Sequence, residues 1–227
     1  YFLKDDKKIL KLIVLYILAI LNAILGNGKH ISFYQLLSII PALYFCGYMA
    51  KNTNCRMLKL DNNKLPELND WQNYITIGFA YTVGILVYII PIAIICGILM
   101  IPFAIIFIFS EFSLLKAIFC AFIMVVSLFI YSILIAVQIA FSTNLKFKSM
   151  FDFKLLKQII FKNGKLLAKL VAVTIILAIV SAIVTGIFGK TLTILAPLVT
   201  VYLSLIVSDL YGQFINKAIK QNEVVNR

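Results

Sequence analysis

Residues 74–109 read YITIGFAYTVGILVYIIPIAIICGILMIPFAIIFIF, a run without a single charged side chain. A hydrocarbon core of about 30 Å needs roughly 20 apolar residues in a helix, so this stretch is long enough to cross a bilayer. It is too long for one simple crossing and too short for two. Because Pro91 and Pro102 lie inside it, we predict a kinked third helix over 74–101, then a short apolar approach to the next helix. A broken hairpin inside the membrane is the alternative.

Apolar runs of similar character recur along the chain, and apolar residues make up 63% of its 227 positions. This composition predicts an all-α fold, a polytopic transmembrane helix bundle that forms a single integral membrane domain over residues 1–227. The six predicted transmembrane helices lie near residues 9–25, 31–50, 74–101, 114–141, 166–188 and 191–211.

The 21 lysine and arginine residues predict how these helices are oriented. Lys29, Lys116 and Lys190 lie on the first, third and fifth connections, which leaves 18 (21 − 3) at the other connections and the termini. Short cytoplasmic loops retain lysine and arginine. We therefore expect a multi-pass protein of the cell membrane with both termini in the cytoplasm. Its net charge of +12 then reflects topology and contact with anionic lipids of the inner leaflet, not nucleic-acid binding.

The two long cytoplasmic connections each predict an interfacial amphipathic segment. In the second, Ser149 is expected to cap a helix over 150–162 that lies on the inner leaflet. One broad face of this helix is apolar and the opposite face is basic. The apolar face consists of Phe151, Leu155, Leu156, Ile159 and Ile160, and the opposite face of Lys154, Lys157, Gln158 and Lys162.

The segment from Gly47 to Pro91 carries a distinctive motif. It consists of Gly47-Tyr48, a basic stretch, Leu65-Pro66-Glu67-Leu68-Asn69-Asp70-Trp71, Gly78, and Tyr88-Ile89-Ile90-Pro91. This motif, with Phe151-Asp152-Phe153 after the fourth span, resembles the domain of unknown function 4013 family of uncharacterised prokaryotic integral membrane proteins. The resemblance spans nearly the whole chain. It implies a membrane architecture, and the family carries no established activity.

The motif has two interpretations. Pro66 halts any helix, and acidic residues after it suit the positive dipole end of the next helix. Trp71 lies at the depth of the aromatic belt. One interpretation is a turn that returns the chain to the membrane and anchors the third helix. The other is a cytoplasmic docking surface for a protein partner, formed by Arg56, Glu67, Asp70 and Trp71.

Few residues suggest chemistry. Asp209 lies near the inner end of the sixth span, where an acid is costly. It either pairs with a cytoplasmic lysine such as Lys217 or with the basic loops, or it forms a proton or cation site. The four cysteines have no metal-ligand spacing, and the single histidine, His30, lies in an outer loop. Hydrolase, metalloprotease and nucleotide-binding motifs are absent. We therefore predict no enzymatic activity, no cofactor and no metal site.

The predicted role is a non-catalytic membrane accessory or scaffold that binds partners or lipids at its cytoplasmic face. A small transport or permease-like subunit is the alternative. Polar residues and glycines within the spans suit a transporter site but also suit ordinary helix packing. A polar cavity containing Asp209 favours transport, and a filled core favours the scaffold. The residues concerned include Gln138, Thr174, Ser181, Gly84, Gly97 and Gly186.

Overall fold

The computed structural model describes residues 7–26, 33–58, 65–109, 113–188 and 195–225, which are almost entirely helical and contain no strand. A 3₁₀-helical turn (Phe147–Phe151) and a π-helical turn (Gln158–Lys162) flank the shortest α-helix. The α-helices of these ranges are α1 (Lys8–Gly26), α2 (Phe33–Leu58), α3 (Trp71–Phe109), α4 (Ser113–Asn144), α5 (Phe153–Lys157), α6 (Gly164–Phe188) and α7 (Leu195–Val225).

Within the described ranges, four helices contain a segment long and apolar enough to cross a membrane. The protein is therefore a helical membrane protein, in agreement with the expected fold class. α1 contributes the shorter apolar stretch Ile9–Leu21, and α2 ends in a polar run. Membrane crossing by α1 and α2 stays a prediction. The four long segments are Trp71–Ile98, Lys116–Asn144, Gly164–Val184 and Pro197–Ala218.

The long apolar run forms one continuous helix. α3 extends over 39 residues without interruption, so the broken hairpin is wrong, and the expected approach to the next span is a helical continuation. A proline removes a single hydrogen bond, and the neighbouring turns maintain the helix around it. At about 1.5 Å per residue the helix is about 58 Å long. It therefore exceeds the thickness of a hydrocarbon core.

α2 packs closely against α3 and α7 because glycines remove side chains at the crossings. A Cβ atom added to Gly47 would overlap the carbonyl oxygen of Tyr74, and one added to Gly78 would overlap the carbonyl oxygen of Leu43. α7 approaches α2 at Gly212 in the same way. Glycine permits this backbone contact. The buried core lies at the end of the bundle where α2 ends and α3 begins.

The connection after α4 differs from its prediction. Ser149 is not the helix cap, since its hydroxyl donates to the Lys146 carbonyl (2.6 Å). Asp152 caps α5 instead: its Oδ1 accepts hydrogen bonds from the backbone N–H groups of Lys154 (3.1 Å) and Leu155 (3.0 Å). An aspartate at this position satisfies N–H groups that the first turn leaves without partners.

The helix begins late because Met150 anchors the preceding turn to α3. Met150 is fully buried, and its sulfur lies against Gly84. The Tyr88 hydroxyl donates to the Met150 carbonyl (2.7 Å). The chain therefore winds as a 3₁₀ turn until Phe151 and becomes α-helical only at Phe153.

The apolar face of this connection packs on protein, where the sequence suggested contact with the inner leaflet. Leu156 and Ile159 are buried in the core. The side chains left exposed include Phe153 (73%) and Phe161 (74%), together with Lys154, Lys157 and Lys162. The remaining members of the expected membrane face, Phe151, Leu155 and Ile160, are partly buried against the same core.

Candidate functional site

The turn between α2 and α3 is held in place by hydrogen bonds to its main-chain carbonyl groups. Each carbonyl of residues 65–68 accepts a hydrogen bond from a side chain of another element. A loop whose carbonyl groups are engaged in this way has little freedom to rearrange. The donors are Lys11 Nζ to Leu65 (2.7 Å), Tyr48 to Pro66 (3.1 Å), Tyr74 to Glu67 (2.5 Å) and Tyr44 to Leu68 (3.4 Å).

The three tyrosines form one aromatic cluster beneath this turn. Tyr44 and Tyr48 lie on α2 and Tyr74 on α3, and their ring centroids are 5.3–6.4 Å apart. Such spacing is typical of favourable aromatic pairs. Lys11 of α1 is 1% exposed and also pairs with Glu67 (3.2 Å). Three helices therefore position the turn, which favours its interpretation as a device that anchors α3.

The proposed docking residues do not all share one environment. Trp71 (56% exposed) and Asp70 lie on the surface where α3 begins. Asp70 accepts a hydrogen bond from Asn73 (2.7 Å), and Glu67, although 63% exposed, is engaged with Lys11. Arg56 departs from the expectation of exposure, because its side chain is only 7% exposed and lies between helices.

Arg56 forms an ion pair with Asp209. The Nε atom of Arg56 lies 2.8 Å from Oδ1 of Asp209, whose side chain is 14% exposed. Gln213, one turn further along α7, donates to Oδ2 of Asp209 (2.8 Å). Asp209 is thus paired, as one of its two interpretations required. Its partner is Arg56 of the basic stretch that follows the second predicted span, one of the partners that the sequence allowed, and not Lys217. A charged pair with an added hydrogen bond is the arrangement that offsets burial.

Next to this pair, a polar run on α2 binds two other helices. The Asn52 amide donates to the Ser208 hydroxyl (2.5 Å), and the Thr53 hydroxyl to the Ser208 carbonyl (3.1 Å). The Asn54 amide donates to the Ser142 carbonyl of α4 (2.8 Å). The sequence analysis missed these residues. The available signal was a run of asparagine and threonine continuing a helix past its apolar part, which suits interhelical hydrogen bonds.

A cavity of about 300 Å³ lies between α2, α3, α4, α6 and α7. Gln138, Thr174 and Ser181, three of the polar residues noted within the spans, line it together. Asp209 does not line it, although its neighbour Ser208 does. The structure therefore contains a polar cavity, but Asp209 lies outside its lining and is paired with Arg56.

A scan against protein families matches residues 31–189 to the family described as "Protein of unknown function (DUF4013)". The match covers the whole of the motif from Gly47 to Pro91 and the connection after α4. The chain belongs to this family. Comparison with the curated proteins and with the solved structures finds no match.

The DUF4013 match includes one partner of each contact described above that α1 and α7 make at this end of the bundle. Arg56, Asn52 and Glu67 lie within it, whereas Lys11, Ser208 and Asp209 lie outside it. The helices α1 and α7, which lie outside the matched region, therefore provide the contact partners of these residues within it. Among the described residues, no three histidine, cysteine or acidic side chains lie close enough together to hold a metal ion.

Proposed function

We propose that this DUF4013 protein is a non-catalytic membrane accessory or scaffold that binds a protein partner or lipids at its cytoplasmic face. The observation that supports this role is that one end of the bundle is held together by interhelical contacts and exposes aromatic and charged side chains. Hydrogen bonds and ion pairs from α1, α2, α4 and α7 meet there. Trp71, Phe153 and Phe161 remain exposed at the same end. Rigid support with exposed aromatic residues is typical of a binding surface.

The distribution of charge supports the cytoplasmic orientation of this end. The basic residues at the end of α2 and around α5 lie here, as does Lys11 of α1, whereas Lys116 lies near the start of α4 at the opposite end. Since basic residues stay on the cytoplasmic side, six crossings with both termini inside is the arrangement that fits. Modification of cysteines introduced singly at Asn69 and Lys116, with a reagent that does not cross the membrane, tests this orientation.

For the docking role, replacing Asp70 and Trp71 together with alanine is expected to weaken binding of a cytoplasmic partner about thirtyfold. A buried tryptophan in an interface commonly contributes about 2 kcal/mol or more. The measurement is quantitative mass spectrometry of proteins crosslinked to the tagged protein in native membranes. Fold is checked in parallel, because the turn is held by backbone contacts that neither substitution removes.

Two variants control that experiment. Gln72→Ala changes an exposed neighbour on the first turn of α3, and Phe79→Ala removes an exposed aromatic residue from the apolar part of the same helix. Both are expected to retain the partner. A protein that purifies alone, or a partner held equally by the unmodified protein and all three variants, argues against docking at Trp71.

The lipid-binding role depends on the side chains that the connection after α4 leaves exposed. Phe153, Lys157 and Phe161 recur every four residues and are all exposed, so the helical turns place them along one side. Apolar rings that enter the interface beside lysines that reach headgroups suit an anionic leaflet. This stripe of three side chains is the surface that we propose for lipid contact.

The stripe predicts a preference for anionic lipid that depends on lysine. Trp71 is the only tryptophan, so Phe153→Trp in a Trp71→Phe background provides a single fluorescent reporter. Brominated phosphatidylglycerol is expected to quench it more effectively than brominated phosphatidylcholine. Changing Lys154 and Lys157 to glutamine should reduce that preference about thirtyfold, since each of the two lysines near an anionic surface contributes about 1 kcal/mol.

The matched control places the reporter at Phe79, on the apolar part of α3. Quenching there should occur with both lipids and show no headgroup preference. If the reporter at Phe153 is not quenched while the one at Phe79 is, the connection does not touch the membrane, and the stripe is available to a protein partner instead.

A small transport or permease-like subunit is the second candidate, favoured by the cavity between the helices. Transporter sites are formed by polar groups between helices near the membrane centre. The engagement of Asp209 with Arg56 counts against a proton-coupled mechanism at that residue. A carrier must first bind its solute, so occupancy of the cavity is the property to measure.

A further inference from the structure

The central cavity contains polar side chains that the protein itself does not satisfy. Tyr81 of α3, Gln138 of α4 and Ser204 of α7 all line it. In the described part of the chain, none of their side-chain polar groups has a hydrogen-bond partner, unlike Thr174, whose hydroxyl donates to the Leu170 carbonyl (2.7 Å). Polar groups at membrane depth without partners are costly. Three such groups converging from three helices therefore indicate that something else engages them.

The lining defines the chemistry of that ligand. Among the residues that the structure describes, no aspartate, glutamate, lysine, arginine or histidine lines the cavity. A charged ligand would be buried there without a counter-ion, which is strongly unfavourable. Hydroxyl and amide groups both donate and accept, so the ligand is uncharged and carries hydroxyl or carbonyl groups.

The remaining surface is apolar, which favours an amphiphilic ligand over a water-soluble one. Side chains including Phe45, Met49, Leu177 and Leu203 complete the wall. A volume of about 300 Å³ is at the lower end of the range for small-molecule sites and is several times that of a water molecule, about 30 Å³. A molecule with an apolar body and a small polar head matches such a wall better than water alone.

The cavity reaches the surface of the bundle within its apolar part. Ala178 on α6 and Thr200 on α7 line it and are exposed. Both lie in the membrane-crossing segments Gly164–Val184 and Pro197–Ala218. A ligand that enters between these two helices arrives from the lipid phase.

We propose that this cavity is a binding site for an uncharged, hydroxyl-bearing lipid, of which a diacylglycerol is the representative. Its free hydroxyl and ester carbonyls match Tyr81, Gln138 and Ser204, and its acyl chains leave between α6 and α7. The site goes beyond the scaffold role and does not depend on it. Loss of docking at Trp71 and loss of binding at Gln138 are separate results.

The test is native mass spectrometry of the purified full chain titrated with 1,2-dioleoylglycerol. We expect one saturable adduct. Gln138→Leu and Ser204→Ala should each weaken it about tenfold, as expected for a hydrogen bond lost in an apolar site. Ala178→Trp, which blocks the proposed opening without touching a polar group, should also weaken it and keeps the test valid if a polar variant unfolds.

Matched controls lie outside the cavity. Gln72→Leu and Ser132→Ala make the same chemical changes at positions that do not line it, and both should bind as the unmodified protein does. Absence of a saturable adduct, or equal weakening by the control variants, overturns the proposal. So does preferential binding of free glycerol or of phosphatidylglycerol, since the first indicates a water-soluble polyol and the second a charged headgroup.

Discussion

Gly47→Ala is expected to lower the free energy of unfolding by about 3 kcal/mol, at the upper end of typical overpacking effects. The new methyl group would overlap the backbone carbonyl of Tyr74, and a backbone atom cannot move aside by changing rotamer. Gly78→Ala should have an effect of similar size, because its methyl group would meet the Leu43 carbonyl at the same crossing. The measurement is reversible unfolding in mixed micelles as denaturing detergent is added.

The chain supplies its own controls for this prediction. Gly97 and Gly186 have no atom of another residue within 4 Å of an added Cβ. Alanine there should be neutral or stabilising, because it favours a helix over glycine by up to about 1 kcal/mol. If Gly97→Ala destabilises as much as Gly47→Ala, the loss reflects helix flexibility and the close crossing of α2 and α3 is not its cause.

This contrast shows what the sequence could and could not predict about the glycines. Gly84, Gly97 and Gly186 all lie in apolar helices, and the local pattern gives them the same interpretation. The structure separates them, since Gly84 receives the Met150 sulfur and the other two face open space. Close approach depends on which helix lies opposite, and that information is not local to the sequence.

The helices themselves were predictable from length and polarity alone. The uninterrupted apolar run from 74 to 109 indicated α3. The helix continues past Pro91 and Pro102, since a helix tolerates isolated losses of a hydrogen bond. The expected third span, 74–101, stays a prediction beside the candidate crossing segment Trp71–Ile98. Amphipathic periodicity misled the assignment of the connection's apolar face. Periodicity shows that Leu156 and Ile159 lie on an apolar face that needs apolar surroundings. Either protein or lipid can provide those surroundings, so periodicity does not distinguish them.

The candidate site was predictable only in part. The motif around Pro66 and Trp71 was identified, but not the buried Lys11 that connects it to α1. The charge of Asp209 was identified as costly to bury at its depth. The residue therefore needed a partner, but the sequence did not identify which one. Pairs such as Asn52 with Ser208 are separated by 156 positions. Single-sequence reasoning indicates that such groups need partners, whereas the fold determines the pairing.

Taken together, these contacts give the two ends of the bundle different properties. The end that contains the basic connections is crossed by hydrogen bonds from four helices. Most of the outer parts of α3 and α4 expose isoleucine, leucine, valine and phenylalanine along their length. Apolar surface in contact with lipid carries no penalty, so those parts need few protein contacts. A rigid end that contains the basic connections, on helices with few protein contacts, supports the proposal that this end presents side chains to a partner.

Arg56→Ala is expected to lower the free energy of unfolding by about 3 kcal/mol or more, because it leaves the carboxylate of Asp209 buried without its cation. Asp209→Ala should have a comparable effect through Arg56. The double variant Arg56→Met/Asp209→Leu removes both charges and should recover most of the loss, since an apolar pair of similar size avoids desolvation. Unfolding of the unmodified protein, Arg56→Met, Asp209→Leu and the double variant under the same detergent conditions gives the coupling between the two residues.

The same double variant decides between the two interpretations of Asp209. If the residue serves as a brace, Arg56→Met/Asp209→Leu retains both the fold and partner binding at Trp71. If it serves as a proton or cation site, Asp209→Asn should unfold like the unmodified protein while abolishing any ion-dependent activity, and the double variant should be inactive although stable. The 2.8 Å contact between Arg56 and Asp209 favours the brace, since a carboxylate that already holds an arginine has little affinity left for a second cation.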